Sequence, residues 1–302
     1  MKKIATLMAA LMLMTAVFAG CSGTDNGSSS AAGESSTTSE SSVAEESSVA
    51  SETSEEASTT ETGDYGEFTT LEEGKLIMST NAQFPPYEMV ADGEGFNGTG
   101  FEGIDVEIAS AIADKLGLEL QIDDMEFDSA LLAVQNNTAD VMLAGLTYNE
   151  ERDEVMDFTT SYATGVQVVI VKEGSDVTMD NLGEKMIGTQ RGTTGYIYAS
   201  DTPENGGYGE DHVQAYDNGA TAVQALVNGQ IDAVIIDQAP AEEFVAANDG
   251  LTILPGNWVE EQYCAAVDDG NEALLNAIDT ALQELIDDGT VQEILDKYIT
   301  AE

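Results

Sequence analysis

The stretch Ala144–Tyr162, AGLTYNEERDEVMDFTTSY, decides how the rest of this sequence is interpreted. It begins at the end of an apolar run that predicts a strand, and Asn149 then predicts the N-cap of a helix with acidic residues in its first turn. Arg152 lies one turn into that helix, so its guanidinium can reach back over the end of the strand. Because arginine holds both oxygens of a carboxylate at once, the stretch predicts a pocket for the carboxylate of a small amino acid.

Arg152 also has a plainer interpretation, in which it only pairs with an acid that is close in the sequence. Glu150, Glu151 and Asp157 are all near enough along the chain to be that partner. Spacing alone does not separate the two interpretations, so the choice depends on what the rest of the chain places around Arg152.

Residues 1–20 have the pattern of a secretory signal peptide. Lys2 and Lys3 precede a short apolar run that ends in Ala19-Gly20, directly before Cys21. The run is shorter than the roughly 20 apolar residues of a membrane-spanning helix. The cysteine at this position resembles that of a bacterial lipobox, which implies cleavage before Cys21, acylation of the protein there (palmitate), and an anchor on the extracellular face of the cell membrane.

Residues 21–68 carry that cysteine and then a linker of Ser, Thr, Glu, Gly and Ala. Such a segment has too few apolar side chains to offset the entropy lost on ordering, so we expect it to stay disordered. A flexible coil of about 45 residues spans roughly 40 Å on average. The linker is therefore predicted to hold the folded domain away from the membrane.

The composition excludes several classes of protein. The chain has 57 acidic and 9 basic residues and a net charge of −48, which excludes nucleic acid as a partner because counterion release needs a basic face. With Cys21 lipidated, Cys264 is left alone, so we expect no disulfide and no cysteine metal site. His212 is the only histidine, which leaves no basis for a histidine triad or a zinc site. No cofactor and no metal are expected.

Apolar periodicity predicts alternating strands and helices before Tyr162. The predicted strands are residues 75–79, 118–122 and 141–144. The predicted helices begin near Ile104 and Phe127, the first with Asp105 as its cap. This order predicts a mainly parallel sheet with ligands bound at the carboxyl ends of its strands.

After Tyr162 the pattern restarts. The predicted strands are 166–171, 186–188, 231–237 and 263–267, and the predicted helices are 220–227, 272–287 and 290–298. The turn Gln190–Gly195, QRGTTG, precedes another helical run. Backbone amides at that helix start, beside the hydroxyls of Thr193 and Thr194, predict a second anion-binding corner, which is compatible with a plain threonine N-cap.

Asp237 ends a buried strand, where a carboxylate is costly unless a cation neutralises it. A ligand ammonium would be such a cation. An acid in a hydrated loop or at a helix cap is the alternative. With Arg152 and Thr147 from the first half of the chain, and Thr194 and Asp237 from the second, each half would supply part of a site for one zwitterion.

Six motifs in sequence order resemble the family 3 extracellular solute-binding proteins of ABC importers for polar amino acids. They are FPPYEM, GIDVEIASAIADKLG, GLTYNEER…DFTTSY, GTTG, IDAVIID and GTVQEILDKY, and the resemblance covers residues 70–300. It implies an α/β fold of the two-lobed, type II periplasmic-binding-protein kind, with a ligand cleft between the lobes. Residues 69–163 and 265–302 would form lobe 1 and residues 164–264 lobe 2, with hinge crossovers near 162–167 and 261–265.

The resemblance also implies roles for the polar residues around the cleft. Arg152 would clamp the ligand carboxylate, with help from Thr147 and Thr194. Gly145 would offer its carbonyl to the ligand ammonium, and Asp237 its charge.

The ligand side chain would lie among four further residues. The resemblance implies that Phe84 and Phe127 sandwich it, although both could be ordinary core aromatics. Asn81 and Gln190 would meet its tip. Asn81 replaces an acid found in several relatives, which favours a polar, uncharged ligand, similar to glutamine or cystine. Cys264 replaces a common glycine, with no clear consequence.

The function implied is that of a monomeric, membrane-tethered receptor that delivers a polar amino acid to an ABC permease. No catalytic residues are implied. An enzyme on the same scaffold, similar to a cyclohexadienyl dehydratase, stays open as an alternative and would need a general acid or base such as Asp237 or Glu88. A sensor domain is a third possibility, although such domains normally continue into a transmembrane signalling module.

Overall fold

The structure is a computed structural model that describes residues 65–299. The predicted signal peptide, Cys21 and residues 22–64 of the predicted linker lie outside the described residues. Tyr65 and Phe68, which we assigned to the linker, pack against the core of the first sheet, so folded structure begins before residue 69. Within residues 65–299 no helix has both the length and the apolar character that a membrane crossing requires.

Fourteen strands and eight α-helices make up the described part of the chain. The strands are β1 (Lys75–Thr80), β2 (Gln83–Phe84), β3 (Glu88–Val90), β4 (Phe101–Glu102), β5 (Glu119–Asp124), β6 (Val141–Met142), β7 (Met156–Phe158), β8 (Ala163–Lys172), β9 (Ile187–Gln190), β10 (Val213–Tyr216), β11 (Ala233–Asp237), β12 (Leu251–Ile253), β13 (Val259–Tyr263) and β14 (Ala266–Asp268). The helices are α1 (Ile104–Leu116), α2 (Phe127–Gln135), α3 (Glu150–Asp153), α4 (Thr194–Ser200), α5 (Gly219–Val227), α6 (Gln238–Ala247), α7 (Glu272–Asp287) and α8 (Thr290–Tyr298).

Lobe 1 is built on a five-stranded sheet of order β5-β1-β6-β14-β7. β1 is parallel to β5 and β6, as predicted, whereas β14 is antiparallel to its neighbours. On one face lie α1, α7 and α8, where Ile104, Ile108 and Ile112 of α1 bury side chains that repeat every four residues. On the other face lies α2. The strand ends of this sheet therefore sit on a core packed on both faces.

Lobe 2 is built on a second sheet of order β10-β9-β11-β8-β12, with β13 also paired to β8. β9, β10 and β11 are parallel, and β8 runs antiparallel to β11. Cores on the two faces of the sheet are covered by α5 and α6 on one side and by α4 on the other. The parallel strands direct the ends of β9 and β11 toward the same edge.

Two strands connect the lobes. β8 and β13 pair antiparallel from Ala163 opposite Tyr263 to Gln167 opposite Val259. Since β7 and β14 both belong to the first sheet, β8 carries the chain out of lobe 1 and β13 brings it back.

The first helix corrects one prediction. Gly103 occupies the N-cap position of α1, and Asp105 lies inside the first turn without capping it. Asp105 is instead fully buried and its Oδ2 accepts a hydrogen bond from the backbone N–H of Gly145, at 2.7 Å. An acid near a helix start looks like a cap in the sequence, and only the tertiary contact shows a different use.

Candidate functional site

One cavity lies between the two lobes and is lined by residues of both. All ten residues predicted to bind a ligand line this cavity: Asn81, Phe84, Phe127, Gly145, Thr147, Arg152, Gln190, Thr193, Thr194 and Asp237. Six more residues line it that were not predicted to bind: Glu88, Ala144, Gln167, Ile235, Ile236 and Tyr263. The structure thus brings the predicted set together from both lobes.

Arg152 lines the cavity from lobe 1. The side chain of Asn149 accepts a hydrogen bond from the backbone N–H of Arg152 at 2.8 Å, which confirms the predicted N-cap. The guanidinium donates through Nη1 to the carbonyl of Thr147 (2.5 Å) and through Nη2 to the carbonyl of Gly192 in lobe 2 (2.9 Å). Among the ion pairs of residues 65–299 none involves Arg152, so its partners are neutral carbonyls rather than nearby acids.

The guanidinium of Arg152 remains charged although it is only 6% exposed. Burial lowers the pKa of Arg152 to about 10, and the negative charge of Glu261 opposes that shift. The guanidinium carbon lies 5.6 Å from the centre of the Phe127 ring, a distance that permits a cation–π contact. A buried cation with this much hydrogen-bonding capacity and no counter-ion is suited to a carboxylate.

Asp237 lines the cavity from lobe 2, where β11 meets α6. Its Oδ2 accepts hydrogen bonds from the Tyr263 hydroxyl (2.5 Å) and the Val166 N–H (2.9 Å), and its Oδ1 accepts from the Ala239 N–H (3.3 Å). Asp237 is therefore a helix cap, as the alternative interpretation had it, and a cavity residue at the same time. Burial raises the pKa of Asp237 to about 7, although the Tyr263 hydrogen bond acts to lower it.

Thr147 is tied to the strand that returns to lobe 1. Its hydroxyl donates to Oε2 of Glu261 at 3.2 Å, and the Gln167 amide donates to the same oxygen at 3.0 Å. Glu261 is buried. Sequence reasoning missed Glu261, because it stands in an acidic strand where nothing distinguishes it from Glu260. With its proton engaged, the Thr147 hydroxyl offers lone pairs to a ligand.

The residues predicted to meet a side-chain tip bond to each other across the lobes. The Gln190 amide donates to Oδ1 of Asn81 at 2.9 Å, and Nδ2 of Asn81 donates to the carbonyl of Met125 at 2.8 Å. Both residues are buried and neutral. This part of the cavity therefore presents amide groups and no charge.

The two phenylalanines are cavity residues with core contacts. Phe127, the first residue of α2, is buried in the lobe 1 core, while Phe84 packs at the border of both lobes. Gly145 follows β6 with φ of +52°, and a Cβ there would lie 2.8 Å from Cε1 of Phe84. Glycine at this position allows the ring of Phe84 to approach the backbone closely.

The predicted corner at the start of α4 is a threonine N-cap. The hydroxyl of Thr193 accepts from the Tyr196 N–H at 3.4 Å and donates to the Gln190 carbonyl at 2.8 Å. Thr194, the next residue, is buried and begins the helix. The Thr193 hydroxyl is thus already engaged by the backbone, whereas Thr194 also faces the cavity.

Cys264 follows the returning strand and is a free, buried cysteine. Burial raises the pKa of its thiol to about 11, so the reactive thiolate form is rare at neutral pH. Cys264 therefore behaves as a small buried apolar residue. In the part of the chain that the structure describes, no group of three or more histidine, cysteine or acidic residues is arranged to hold a metal ion.

The chain resembles a known protein family and several proteins with known names. A family model described as bacterial extracellular solute-binding proteins, family 3, matches residues 76–301. The arginine-binding extracellular protein ArtP of Bacillus subtilis (strain 168) is 32% identical over 232 residues, which covers 76% of this chain and 87% of ArtP. The L-cystine-binding protein TcyJ of Escherichia coli (strain K12) is 31% identical over 235 residues, covering 76% of this chain and 85% of TcyJ.

A solved structure shows the same fold. An ancestral arginine-binding protein bound to glutamine superposes with a TM-score of 0.68 at 34% identity, and the match covers 76% of this chain and all of that one (100%). The likeness confirms the two-lobed α/β fold predicted from the resemblance.

Proposed function

We propose that this chain, which belongs to family 3 of the bacterial extracellular solute-binding proteins, is the amino-acid-binding component of an ABC importer. Two of its relatives carry the names of arginine- and cystine-binding proteins, and one related structure holds glutamine. These names support an amino acid as the ligand.

One observation carries the proposal. A buried guanidinium without an acidic partner, Arg152, and a buried carboxylate, Asp237, line the same cavity. The α-carboxylate and α-ammonium of one amino acid would supply the two missing counter-charges. Each charge would then gain a partner that it lacks in the protein, which is the condition under which a buried ion pair is favourable.

The side chain of the ligand is proposed to be polar and uncharged. Its tip would meet Asn81 and Gln190, whose amides can both donate and accept hydrogen bonds. A ligand amide similar to that of glutamine, or the second polar end of a cystine, would replace the hydrogen bond that these two residues make to each other.

Binding is proposed to favour lobe closure. Arg152 already bonds to Gly192 of lobe 2, and Asn81 bonds to Gln190, so both bonds join the lobes. A ligand held by both lobes binds the closed form better and shifts the population toward it. Hinge closure of this kind is a known motion of periplasmic binding proteins as a class. The closed form is then the species that the permease would recognise.

The membrane anchor and its linker are proposed from the sequence alone. Acylated Cys21 would anchor the protein at the outer face of the membrane, and residues 22–64 would give the domain room to move. Membrane fractionation of Cys21→Ser cells tests this, because the variant should leave the membrane fraction. A variant that stays with the membrane to the same extent as wild type would remove the lipid anchor from the proposal.

Calorimetry with the common amino acids is the experiment that tests the binding function. One polar amino acid should bind with a dissociation constant near the micromolar range, which corresponds to about −8 kcal/mol. Arg152→Ala should weaken that binding by 100-fold or more, about 3 kcal/mol, because the ligand carboxylate loses its only charged partner.

Arg191→Ala is the matched control. Arg191 is adjacent to the site in the sequence but is exposed and pairs with Asp217 at 3.4 Å. Its loss should change the affinity by less than about twofold, since exposed ion pairs contribute little. Failure of every amino acid to bind the wild-type protein would contradict the proposed function.

The protein is proposed to bind its ligand without transforming it. The buried acids Asp237 and Glu88 are the groups an enzyme of the dehydratase kind would need. Incubation with prephenate or arogenate, followed by chromatography, should return the compounds unchanged. A product formed by wild type and not by Asp237→Asn would favour the enzyme instead.

A further inference from the structure

Glu88 is the one acid of the cavity lining that the zwitterion does not explain. It begins β3, directly after the proline pair and Tyr87, and its side chain is fully buried. Both carboxylate oxygens lack a hydrogen-bond partner within the described residues, and Glu88 also lines the cavity. A buried polar group without a partner calls for a physical explanation, because its desolvation would otherwise be uncompensated.

The neighbour of Glu88 is a second buried acid, Asp105 of α1. The two carboxyl groups are close enough to hydrogen-bond each other. Oδ2 of Asp105 accepts from the Gly145 N–H at 2.7 Å, while its Oδ1 has no partner if both acids are ionised. Two carboxylates cannot donate to one another, but one added proton allows Glu88 to donate to Asp105.

We infer that Glu88 is protonated at neutral pH and donates to Asp105, and that the pair positions Gly145 for the ligand ammonium. This inference rests on the proposed function, in which the carbonyl of Gly145 meets that ammonium. Oδ2 of Asp105 accepts a hydrogen bond from the Gly145 N–H, and protonated Glu88 would donate to Oδ1 of Asp105. Glu88 and Asp105 are therefore positioning residues.

The groups around the pair favour this protonation. Burial raises the pKa of Glu88 most, and Asp105 on α1 and Asp124 at the end of β5 raise it further. The hydroxyls of Tyr162 and Tyr87 also face the pair and are neutral, because burial raises their pKa values above the ordinary value of a tyrosine. No lysine or arginine among residues 65–299 forms an ion pair with either acid.

Asp105 holds the negative charge of the pair. Burial raises the pKa of Asp105 to about 7, and the hydrogen bonds from Gly145 and Glu88 act to lower it. Loss of the Glu88 donor would therefore raise the pKa of Asp105. A protonated Asp105 accepts the Gly145 N–H more weakly than the carboxylate does.

Three proteins test the inference by calorimetry across about pH 6 to 9: wild type, Glu88→Gln and Glu88→Met. The probes are L-glutamine, L-arginine and L-cystine. Glutamine at position 88 donates without a titrating proton, so affinity should stay within about threefold of wild type. Methionine has a similar volume and no donor, so affinity should fall by about tenfold and the acid loss of binding should begin at a higher pH.

Asp140→Asn is the matched control. Asp140 is another buried acid of lobe 1, and its oxygens accept from the Leu71 and Ile77 N–H groups at 2.8 Å each. It does not line the cavity. This variant should lose stability without changing the affinity or its pH profile.

Two results would overturn the inference. If Glu88→Gln loses affinity as strongly as removal of the Asp237 charge, Glu88 acts as an ionised ligand contact. If Glu88→Met binds with the wild-type affinity and pH profile, the pair has no part in binding.

A second measurement needs no ligand and so separates this inference from the proposed function. A raised pKa means that stability is present below the unfolded pKa of a glutamate and is lost as pH rises toward the folded pKa. Wild type should therefore lose stability relative to Glu88→Gln as the pH rises. The difference in melting temperature, Glu88→Gln minus wild type, should increase by about 2 °C or more between about pH 5 and pH 8. A difference that stays constant with pH shows that Glu88 is ionised. If wild type binds none of the probes, the proposed function fails while this test still stands.

Discussion

The Arg152 end of the cavity (Arg152 and the carbonyls it contacts) and the Asp237 end (Asp237 and its three donors) both bury a charge, but the charge is stabilised in different ways. Arg152 donates to two backbone carbonyls and retains a pKa of about 10. Asp237 accepts from Tyr263, Val166 and Ala239, and its pKa is about 7. At neutral pH the Arg152 end, the proposed carboxylate site, is therefore always charged, whereas the charge of the Asp237 end, the proposed ammonium site, depends on pH.

The difference follows from the chemistry of the two groups. A guanidinium starts with a pKa far above neutral, so even strong desolvation leaves it charged. A carboxylate starts below neutral, and the same desolvation moves its pKa into the physiological range. In the proposed function, Arg152 would thus fix the orientation of the ligand, and Asp237 would make binding sensitive to pH.

Asp237→Asn tests the charge at the Asp237 end and should have the largest effect of any substitution at that end. Asparagine can still accept from Ala239 and keep the cap of α6, but it offers no charge to an ammonium. Affinity should fall by about 10- to 100-fold, the range for a charged hydrogen bond. Stability should fall by about 1–3 kcal/mol, because the amide nitrogen of asparagine cannot accept from the Val166 N–H. Calorimetry at about pH 8, where wild-type Asp237 is ionised, gives the comparison.

Asp232→Asn provides the control for that prediction. Asp232 is an exposed acid of lobe 2 and accepts from the Met186 N–H at 2.9 Å. The substitution should leave the affinity unchanged. Equal affinity losses in the two variants would show that general charge, rather than Asp237 itself, attracts the ligand.

The pH dependence should have opposite signs for binding and for stability. Below a pKa of about 7, Asp237 takes up a proton and no longer attracts an ammonium, so affinity should fall by up to about fivefold from pH 7 to pH 6. The ligand-free protein should behave in the opposite way. Because their pKa values are raised, Asp105 and Asp237 stabilise the folded state at pH values below the pKa of an unfolded aspartate. That stabilisation is lost as the pH rises through about 7.

Calorimetry and thermal melts over the same pH series measure both slopes. Affinity that does not change between about pH 6 and pH 8 would show that Asp237 is ionised throughout, as an ordinary aspartate is. The two ends of the cavity would then respond to pH in the same way, and only their sign of charge would differ.

Gly145→Ala should have the smallest effect on affinity. It tests the backbone at Gly145, whose carbonyl is proposed to meet the ligand ammonium. The new Cβ would lie 2.8 Å from Phe84, so the ring must move and affinity should fall by about fivefold. The positive φ of +52° should also lower the free energy of unfolding by about 1 kcal/mol.

Gly117→Ala separates these two effects. Gly117 ends α1 with φ of +70°, and a Cβ there meets nothing within 4 Å. Thermal melts should show a similar loss of stability for both variants, whereas calorimetry should show lost affinity only for Gly145→Ala. Unchanged affinity in Gly145→Ala would mean that the Phe84 contact does not shape the site.

The two ends also differ in how much could be predicted from the sequence. Asn149 and Arg152 are three residues apart, and the Thr147 carbonyl that Arg152 bonds is five residues back. The start of a helix fixes the positions of these residues relative to one another, so their spacing in the sequence was sufficient to predict the contacts. Alternating apolar runs likewise predicted the strand and helix order of both lobes.

The surroundings of Asp237 and Glu88 could not be predicted in this way. Tyr263 bonds to Asp237 from 26 residues away, and Glu261 bonds to Thr147 from 114 residues away. Asp105 looked like a cap because an acid near a helix start usually favours the dipole. Its contact with Gly145, 40 residues on, depends on how α1 packs beside β6.

The sequence by itself determined the apolar pattern of the strands, the local helix start that aims Arg152, and the scarcity of bases that made this arginine conspicuous. The tertiary structure alone decided which acids are buried together and which hydroxyls reach them. The physical reason is that periodicity and capping act over a few residues, whereas burial and charge coupling arise only when distant segments exclude water from a shared space.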